Sequence, residues 1–303
     1  MPIFTIITPT NLRPLLLKRT IKSVLSQSFQ DFEQIIVDDA SDAETAQVVA
    51  AMGDPRLRYI AHETSRGAAA AYNTGMKNAR GQYINFLDDD DEYLPGILEK
   101  IRQTFLSATN NPGFVWTGIT RVRDLPEGEE TIRTQVWPAD FDSRESGLMV
   151  STAIGNGFGV SMKKECIDEL GYYDETLTVG EDTEYLIKLS KQYNFRTVPE
   201  VLVKIHHHGS TQLTHQKYVG IKQACYGRII ARHFDFLSEY FGVINMHNLV
   251  YAGLCYELKK KKAGRKAMMR IIKKFPGKRI LYADLICYEL FGKNYKQWKE
   301  NKA

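Results

Sequence analysis

Cysteine is scarce. Cys166, Cys225, Cys255 and Cys287 are the only four in 303 residues, and their spacing fits neither a disulfide framework nor a paired metal motif. Cysteine chemistry is set aside, and a reducing compartment is the expected setting. No apolar run reaches bilayer length, and Met1-Pro-Ile-Phe-Thr-Ile-Ile7 enters a strand pattern without a basic leader. A cytoplasmic protein is expected, lying at most peripherally on the inner face of the cytoplasmic membrane. No G-x-G-x-x-G follows the first predicted strand, which argues against a dinucleotide dehydrogenase. Pro9-Thr-Asn-Leu-Arg13 is also not the Gly-rich basic loop that a sugar nucleotidyltransferase needs for its triphosphate.

What stands out is an apolar run ending in acid. Tyr83 to Leu87 has the composition of a buried strand, and Asp88, Asp89, Asp90 and Asp91 follow it directly, before Pro95. Carboxylates crowded at a strand end repel one another, and they tolerate burial only where a cation or hydrogen-bond donors offset the charge. A hard divalent cation such as Mg²⁺ takes one or two carboxylates together with substrate phosphate oxygens. The competing reading is a solvated acidic turn that caps the helix beginning near Pro95.

The surrounding pattern alternates. Phe4 to Thr8, Gln34 to Asp38 and Arg58 to His62 read as strands. Helical spacing recurs between them, at Leu16/Leu17, Thr20/Ile21 and Val24/Leu25, then from Glu44 to Met52, then in the alanine-rich run to Ala79. Strand, helix and strand within about 35 residues form a βαβ unit, so a parallel sheet is predicted, with ligands beyond the carboxyl ends of its strands. Thr8, Asp38/Asp39 and Asp88 to Asp91 all fall at that edge.

Later segments offer further candidates. A polar hairpin is expected around Asp124 to Glu130, and a small-residue loop from Ser151 to Gly159 near the site. Glu181 and Asp182 open a helix, where acids also belong for dipole reasons alone. Glu200 to Ile205 reads as a strand ending in His206-His-His208. Neighbours on a strand face opposite sides, so at most His206 and His208 act together, as metal ligands, on a phosphate or in packing.

From about Gln216 the pattern is helical, and charge gathers at the end. Residues 259–303 hold 15 Lys and Arg against 3 Asp and Glu, a net +12 in a chain whose total is +4. Ala263, Ala267, Ile271 and Phe275 share one face of a predicted helix, and Ile280 to Phe291 form another. A basic two-helix unit of this kind suits either a structural cap or an anionic membrane surface.

Taken in order, several motifs resemble the family 2 glycosyltransferases: Thr8-Pro-Thr10, Ser23 to Gln27, Ile35 to Asp42, Arg66-Gly67, Tyr72 to Gly75, Gly81 to Pro95, Gly171 to Asp174 and Gly180-Glu-Asp182. The resemblance runs from about residue 2 to 215. It implies an α/β GT-A fold, a Rossmann-like and mostly parallel sheet flanked by helices. Residues 1–110 would form the nucleotide-sugar half and 111–215 the acceptor half, with 216–303 as a basic C-terminal helical extension. It further implies an inverting transfer from a nucleoside-diphosphate sugar, UDP-linked by preference, in the manner of bacterial cell-surface polysaccharide or lipopolysaccharide synthesis. By position, Thr8, Pro9, Asp39, Arg66, Asp88 and Asp89 would bind donor, Asp90 and Asp88 would hold Mg²⁺ or Mn²⁺ in a DXD element, and Asp182 would be the base beside Glu181. The expected acceptor is a lipid-linked saccharide, and nucleic acid is not an expected partner.

Three departures matter. Asn11-Leu12-Arg13 replaces the usual Tyr-Asn-Arg, Tyr72 replaces an Arg, and the Arg or Trp of processive synthases is missing after Asp182. Single addition fits better than polymerisation. A degenerate domain used only for binding is the remaining alternative, and it sits poorly with the presence of both Asp90 and Asp182.

Overall fold

Alternating apolar strands and amphipathic helices build the first half of the chain. Its elements are β1 (Phe4–Thr10), α1 (Pro14–Leu25), β2 (Phe32–Asp38), α2 (Ala43–Met52), β3 (Leu57–Ala61), α3 (Ala68–Asn78) and β4 (Tyr83–Phe86). They form a parallel sheet in the order β3-β2-β1-β4. Every residue of β2 is buried, and so is all of β1 except Pro9, because helices cover both faces. Phe4 is level with both Phe32 and Tyr83, so β1, β2 and β4 present their carboxyl ends along one edge. That edge carries Thr10, Asp38 and the acids after β4. The computed structural model describes residues 1–207 and 218–291.

The sheet continues as β4-β8-β6-β9-β5, giving a mixed, mostly parallel sheet with helices around it. The added elements are β5 (Glu92–Tyr93), α4 (Ile97–Ser107), β6 (Phe114–Leu125), β7 (Gly128–Gln135), α5 (Arg144–Ser151), β8 (Ser161–Lys163), α6 (Glu165–Leu170), α7 (Glu181–Gln192) and β9 (Phe195–His207). β6 and β7 make the hairpin expected around Asp124. β9 runs parallel to β6 over a long register that slips on either side of Gly118. A Cβ at Gly118 would lie 2.6 Å from the Glu200 carbonyl oxygen, so only glycine permits this close approach. One core joins Phe4, Ile6 and Tyr83 to Leu98, Ile101, Phe105, Val115 and Val203, with the Tyr83 and Phe105 rings stacked at 4.4 Å. A second core lies between Leu17 and Ile21 of α1, Ile36 of β2 and Val49 of α2.

Two compact units divide the chain, Met1–Asp142 with Ile154–Ser210, and Ser143–Ala153 with Thr211–Ala303. The second contains α5, α8 (Val219–Leu237), α9 (Phe241–Glu257), α10 (Lys261–Lys274) and α11 (Arg279–Phe291). Within it, the buried His247 bonds the Thr152 hydroxyl at 2.9 Å and the Tyr226 hydroxyl at 2.9 Å, and Gly242 donates its N–H to Glu145. The expected face of α10 is rotated. Gly264, Met268, Ile271 and Ile272 are buried, whereas Ala263, Ala267 and Phe275 are only half-buried. Gly264 takes the central place because the Tyr256 ring passes so close that a Cβ there would meet it at 2.7 Å.

Candidate functional site

The acidic run leaves β4 at Leu87, and the polar row of α1 holds it in place. Arg19 donates to the Asp90 carbonyl at 2.8 Å, Thr20 to the Asp91 carbonyl at 2.7 Å and Gln27 to the Leu94 carbonyl at 3.1 Å. Ser23 accepts from the Tyr93 N–H at 3.1 Å, and Gln27 accepts from the Gly96 N–H at 3.1 Å. These side chains recur down one side of the helix, which accounts for the Ser23 to Gln27 motif. Its business is the backbone of residues 90–96. Leu17, Ile21 and Val24 pack into the sheet at the same time.

One carboxylate oxygen from each of Asp88, Asp90 and Asp91 lies within 4.8 Å of the others. Asp90 and Asp91 are buried. Burial first, and then the neighbouring Asp90, push Asp88 above the ordinary aspartate range, although a hydrogen bond from the Tyr72 hydroxyl opposes the rise. Asp91 is raised by burial and by Asp90 and Asp88. Asp89 is pushed up to about 6, chiefly by burial. It accepts from Thr10 at 2.7 Å and from Arg13 at 3.0 Å, and the same Arg13 nitrogen lies 3.0 Å from Asp90. Hard oxygen donors, converging and short of positive charge, fit a divalent cation of the Mg²⁺ or Mn²⁺ type. Asp91 was read as part of the acidic run without a ligand role of its own, and Arg13 and Tyr72 were not among the residues expected to act, because each is defined by a contact remote in sequence.

Asp39 sits at the end of β2 as the centre of a closed set of donors. Its two oxygens accept from His62 Nδ1 at 2.8 Å, the Arg66 N–H at 2.8 Å, the Ser65 hydroxyl at 2.7 Å and the Gly67 N–H at 2.9 Å. Burial alone would raise its pKa, but these bonds outweigh it and leave the carboxyl below the ordinary value. Asp39 therefore organises the loop of residues 62–67 as an ionised acceptor. Pro9 is half-buried nearby in the chain, while Thr8 is fully buried and accepts from the Gln34 amide at 3.1 Å. The Thr8 side chain is closed to a ligand, and Thr10, two residues nearer the strand end, is the one that meets the acids. Arg66 turns its guanidinium to Glu175 at 3.0 Å, whereas Arg13 lies against Asp89 and Asp90 and the charge of Arg121 acts on Asp91.

Glu181 and Asp182 begin α7 after Gly180, whose φ of 84° suits glycine. Asp182 accepts from the Thr183 N–H at 2.6 Å and from the Asn156 N–H at 3.3 Å. Both acids are raised above their ordinary range, first by burial, and Asp88 adds to the rise at Glu181 just as Asp182 adds to that at Asp88. The two acidic groups thus share one electrostatic environment. Between them passes the turn Asn156–Phe158. A Cβ at Gly155 would fall 2.5 Å from an Asp182 oxygen, and one at Gly157 would fall 3.3 Å from an Asp91 oxygen. The small-residue loop therefore permits close approach to both acids. Asn73 anchors the segment before α7, exchanging bonds with the Tyr173 N–H and carbonyl at 2.9 and 3.0 Å, and Tyr173 reaches on to Asn156 at 2.9 Å.

His206 stands apart from this cluster by its ring. Its imidazole lies between Asp124 at 2.6 Å and Glu92 at 2.8 Å, and its backbone N–H donates to Asp91 Oδ1 at 3.0 Å. Oxygens of Glu92 and Glu129 converge with that ring in a separate group. His208 lies outside the described residues.

The family model for Glycosyl transferase family 2 matches residues 5–158. In sequence, the chain is 39% identical over 106 residues to a GalNAc(5)-diNAcBac-PP-undecaprenol beta-1,3-glucosyltransferase of Campylobacter jejuni, an alignment covering 34% of each protein. The chain thus spans about a third of the length of the first curated relatives it matches. In structure, it resembles S. aureus TarS residues 1–349 in complex with UDP, with a TM-score of 0.66 and 17% identity, over 98% of this chain and 92% of that one. It also resembles a mannosyltransferase from Pyrobaculum calidifontis in complex with GDP-Man and Mn²⁺, with a TM-score of 0.63 and 17% identity, over 98% and 83%.

Proposed function

The chain belongs to glycosyl transferase family 2 and has the GT-A fold; from that premise we propose that it transfers one sugar, with inversion, from a nucleoside-diphosphate sugar to a lipid-linked saccharide. The observation that carries this reading is the convergence of Asp88, Asp90 and Asp91 at the sheet edge, with Asp182 in the same field. Asp88, Asp90 and Asp91 would hold Mg²⁺ or Mn²⁺. When bound, the cation supplies positive charge for the departing diphosphate.

The chain's own residues do the rest. Asp39 fixes the loop of residues 62–67 beside the strand ends, where a donor nucleoside is expected. Arg13 clamps Asp89 and Asp90, and Thr10 holds the other oxygen of Asp89. Asp182 is the base: burial raises its pKa above the ordinary aspartate value, which makes it a better acceptor of the proton from an acceptor hydroxyl. Attack by that hydroxyl on the face opposite the diphosphate is a single displacement, so the anomeric centre inverts and no covalent sugar intermediate forms.

The donor's base is taken as uracil, in keeping with the UDP bound by TarS. A lipid-linked acceptor follows the Campylobacter relative, whose name couples a sugar chain to undecaprenol. Such an acceptor places the enzyme peripherally at a membrane surface. The deciding measurement is release of nucleoside diphosphate from a panel of nucleotide sugars, with Mn²⁺ and with chelator. Turnover of one UDP-sugar that needs the metal supports the reading. No turnover of any nucleotide sugar by wild type, with no metal-dependent UDP binding, overturns it in favour of a binding module.

A further inference from the structure

α10 and α11 differ in a way that their packing does not require. On α10 the outward side is cationic: Lys261, Lys262, Lys266 and Lys273 are exposed, and Lys261–Lys274 contains no acidic residue. That is how a solvated amphipathic helix is built. α11 is apolar on its outward side, while its packed side is apolar apart from the buried Asp284 and from Glu289, which pairs with Arg265 of α10. Leu281 and Tyr288 face inward and are buried, with Tyr288 in a cluster with Ala252, Tyr256 and Met268. On the opposite side Tyr282, Ile286 and Leu290 are 43%, 57% and 71% exposed. With Arg279 and Ala283 they follow the i, i+3, i+4, i+7, i+11 spacing of a single helical face.

Water is a poor partner for that row, and α11 does not span a bilayer either. No described helix is long and apolar enough to cross a membrane, and a helix of 13 residues is about 20 Å long against a hydrocarbon core of about 30 Å. An apolar helix face accompanied by a wholly basic helix is the composition of an interfacial membrane anchor.

We propose that α11 lies in the surface of an anionic bilayer, with Tyr282, Ile286 and Leu290 immersed among the acyl chains and the lysines of α10 paired with lipid phosphates. Charge selects the occupant. Residues 259–303 carry a net +12, which a second copy of this chain would repel and an anionic headgroup layer attracts. The inference rests on the lipid-linked acceptor proposed above, because an acceptor held in a bilayer is reached from that surface.

The test uses the full chain with vesicles of phosphatidylglycerol and phosphatidylcholine, and with phosphatidylcholine alone. Wild type should sediment with the anionic vesicles, and binding should weaken as salt rises. I286S/L290S changes exposed positions and leaves the packed side intact; circular dichroism and melting check its fold. It should lose about 10-fold or more in vesicle partitioning. K261S/K262S/K266S/K273S should lose the salt-sensitive part while folding normally. Donor hydrolysis in free solution should be unchanged in both variants, which separates this proposal from the proposed reaction. Anionic vesicles ignored by wild type, or bound equally by I286S/L290S, would overturn the proposal. So would a wild-type dimer in sedimentation velocity that I286S/L290S dissociates, since the row would then join two copies.

Discussion

The Tyr72 hydroxyl donates a hydrogen bond to Asp88. Tyr72 is 2% exposed and its ring packs against Phe86 and Tyr173, so its contribution is confined to the carboxylate. A hydrogen bond to a charged acceptor is worth about 1.5–3 kcal/mol. Tyr72→Phe keeps the packing and removes the donor. Mn²⁺ affinity at neutral pH should fall by about 10-fold, in calorimetry with UDP present, while the melting temperature changes little. An unaltered affinity would show that Asp88 does not depend on this bond.

Asp90→Asn and Asp91→Asn should each abolish metal-dependent UDP binding, because an amide cannot replace a carboxylate on a hard cation. Asp91→Asn keeps an oxygen that can accept from the His206 N–H, so it tests the metal without removing that bond. If Asp91→Asn binds Mn²⁺ normally, the ligand set reduces to Asp88 and Asp90.

For the base, Asp182→Asn should leave UDP affinity nearly intact and lower turnover by about 10²-fold or more. Glu181→Gln should be milder. Glu181 is buried and its pKa is raised by burial and by Asp182, so its neutral form resembles the amide that replaces it. Gly155→Ala should imitate the Asp182 lesion, since the new methyl would meet the carboxylate at 2.5 Å. Single-turnover kinetics beside donor titration distinguish these outcomes, and equal losses of donor affinity would move the base elsewhere.

The acidic cluster also sets a pH dependence. Asp89 is raised to about 6, and Asp88 and Asp91 are raised as well. A raised carboxyl keeps, in the folded state, a proton that the unfolded chain has already released. Stability of the metal-free protein should therefore fall as pH climbs from the ordinary aspartate range through about 6. Mn²⁺ binding offsets the repulsion, so the gain in melting temperature on adding Mn²⁺ should be larger at pH 7.5 than at pH 5. A gain independent of pH would contradict this.

Breaking the clamp at Arg13 gives a fifth readout. Arg13→Ala leaves Asp89 and Asp90 facing each other without their cation, and because Arg13 is 29% exposed the cost is taken as about 1–3 kcal/mol. Urea denaturation should show it without metal, and saturating Mn²⁺ should recover part of it.

The parallel half of the sheet was legible because its strands are apolar runs punctuated by helices of clear period. β8 and β5 were not, since strands of three and two residues carry no periodic signal and are made by their neighbours. α5 was missed for a related reason: Arg144 to Ser151 is short and contains Gly147, and its residues group with helices far along the chain. At the site, contiguous acids announced themselves. Arg13, Tyr72 and Gly155 did not, because their meaning lies in carboxylates 76, 16 and 27 positions away. Thr8 and Arg66 show the reverse case, in which position in a motif suggested ligand contact and the side chain bonds Gln34 and Glu175, respectively, instead.

The bond from the His206 N–H to Asp91 spans 115 positions. A ribosome delivering this chain from its amino end finishes β1 to β4, and with them all four aspartates, long before β9 emerges. At about 5–20 residues per second, the acids wait several seconds for that donor. During the wait β8 can already close the edge of β4, and Arg13, made earlier, can reach Asp89 and Asp90, but Asp91 stays without its backbone donor. Pairing of β9 with β6 delivers the missing N–H, so maturation of the acidic cluster is tied to the last strand to arrive.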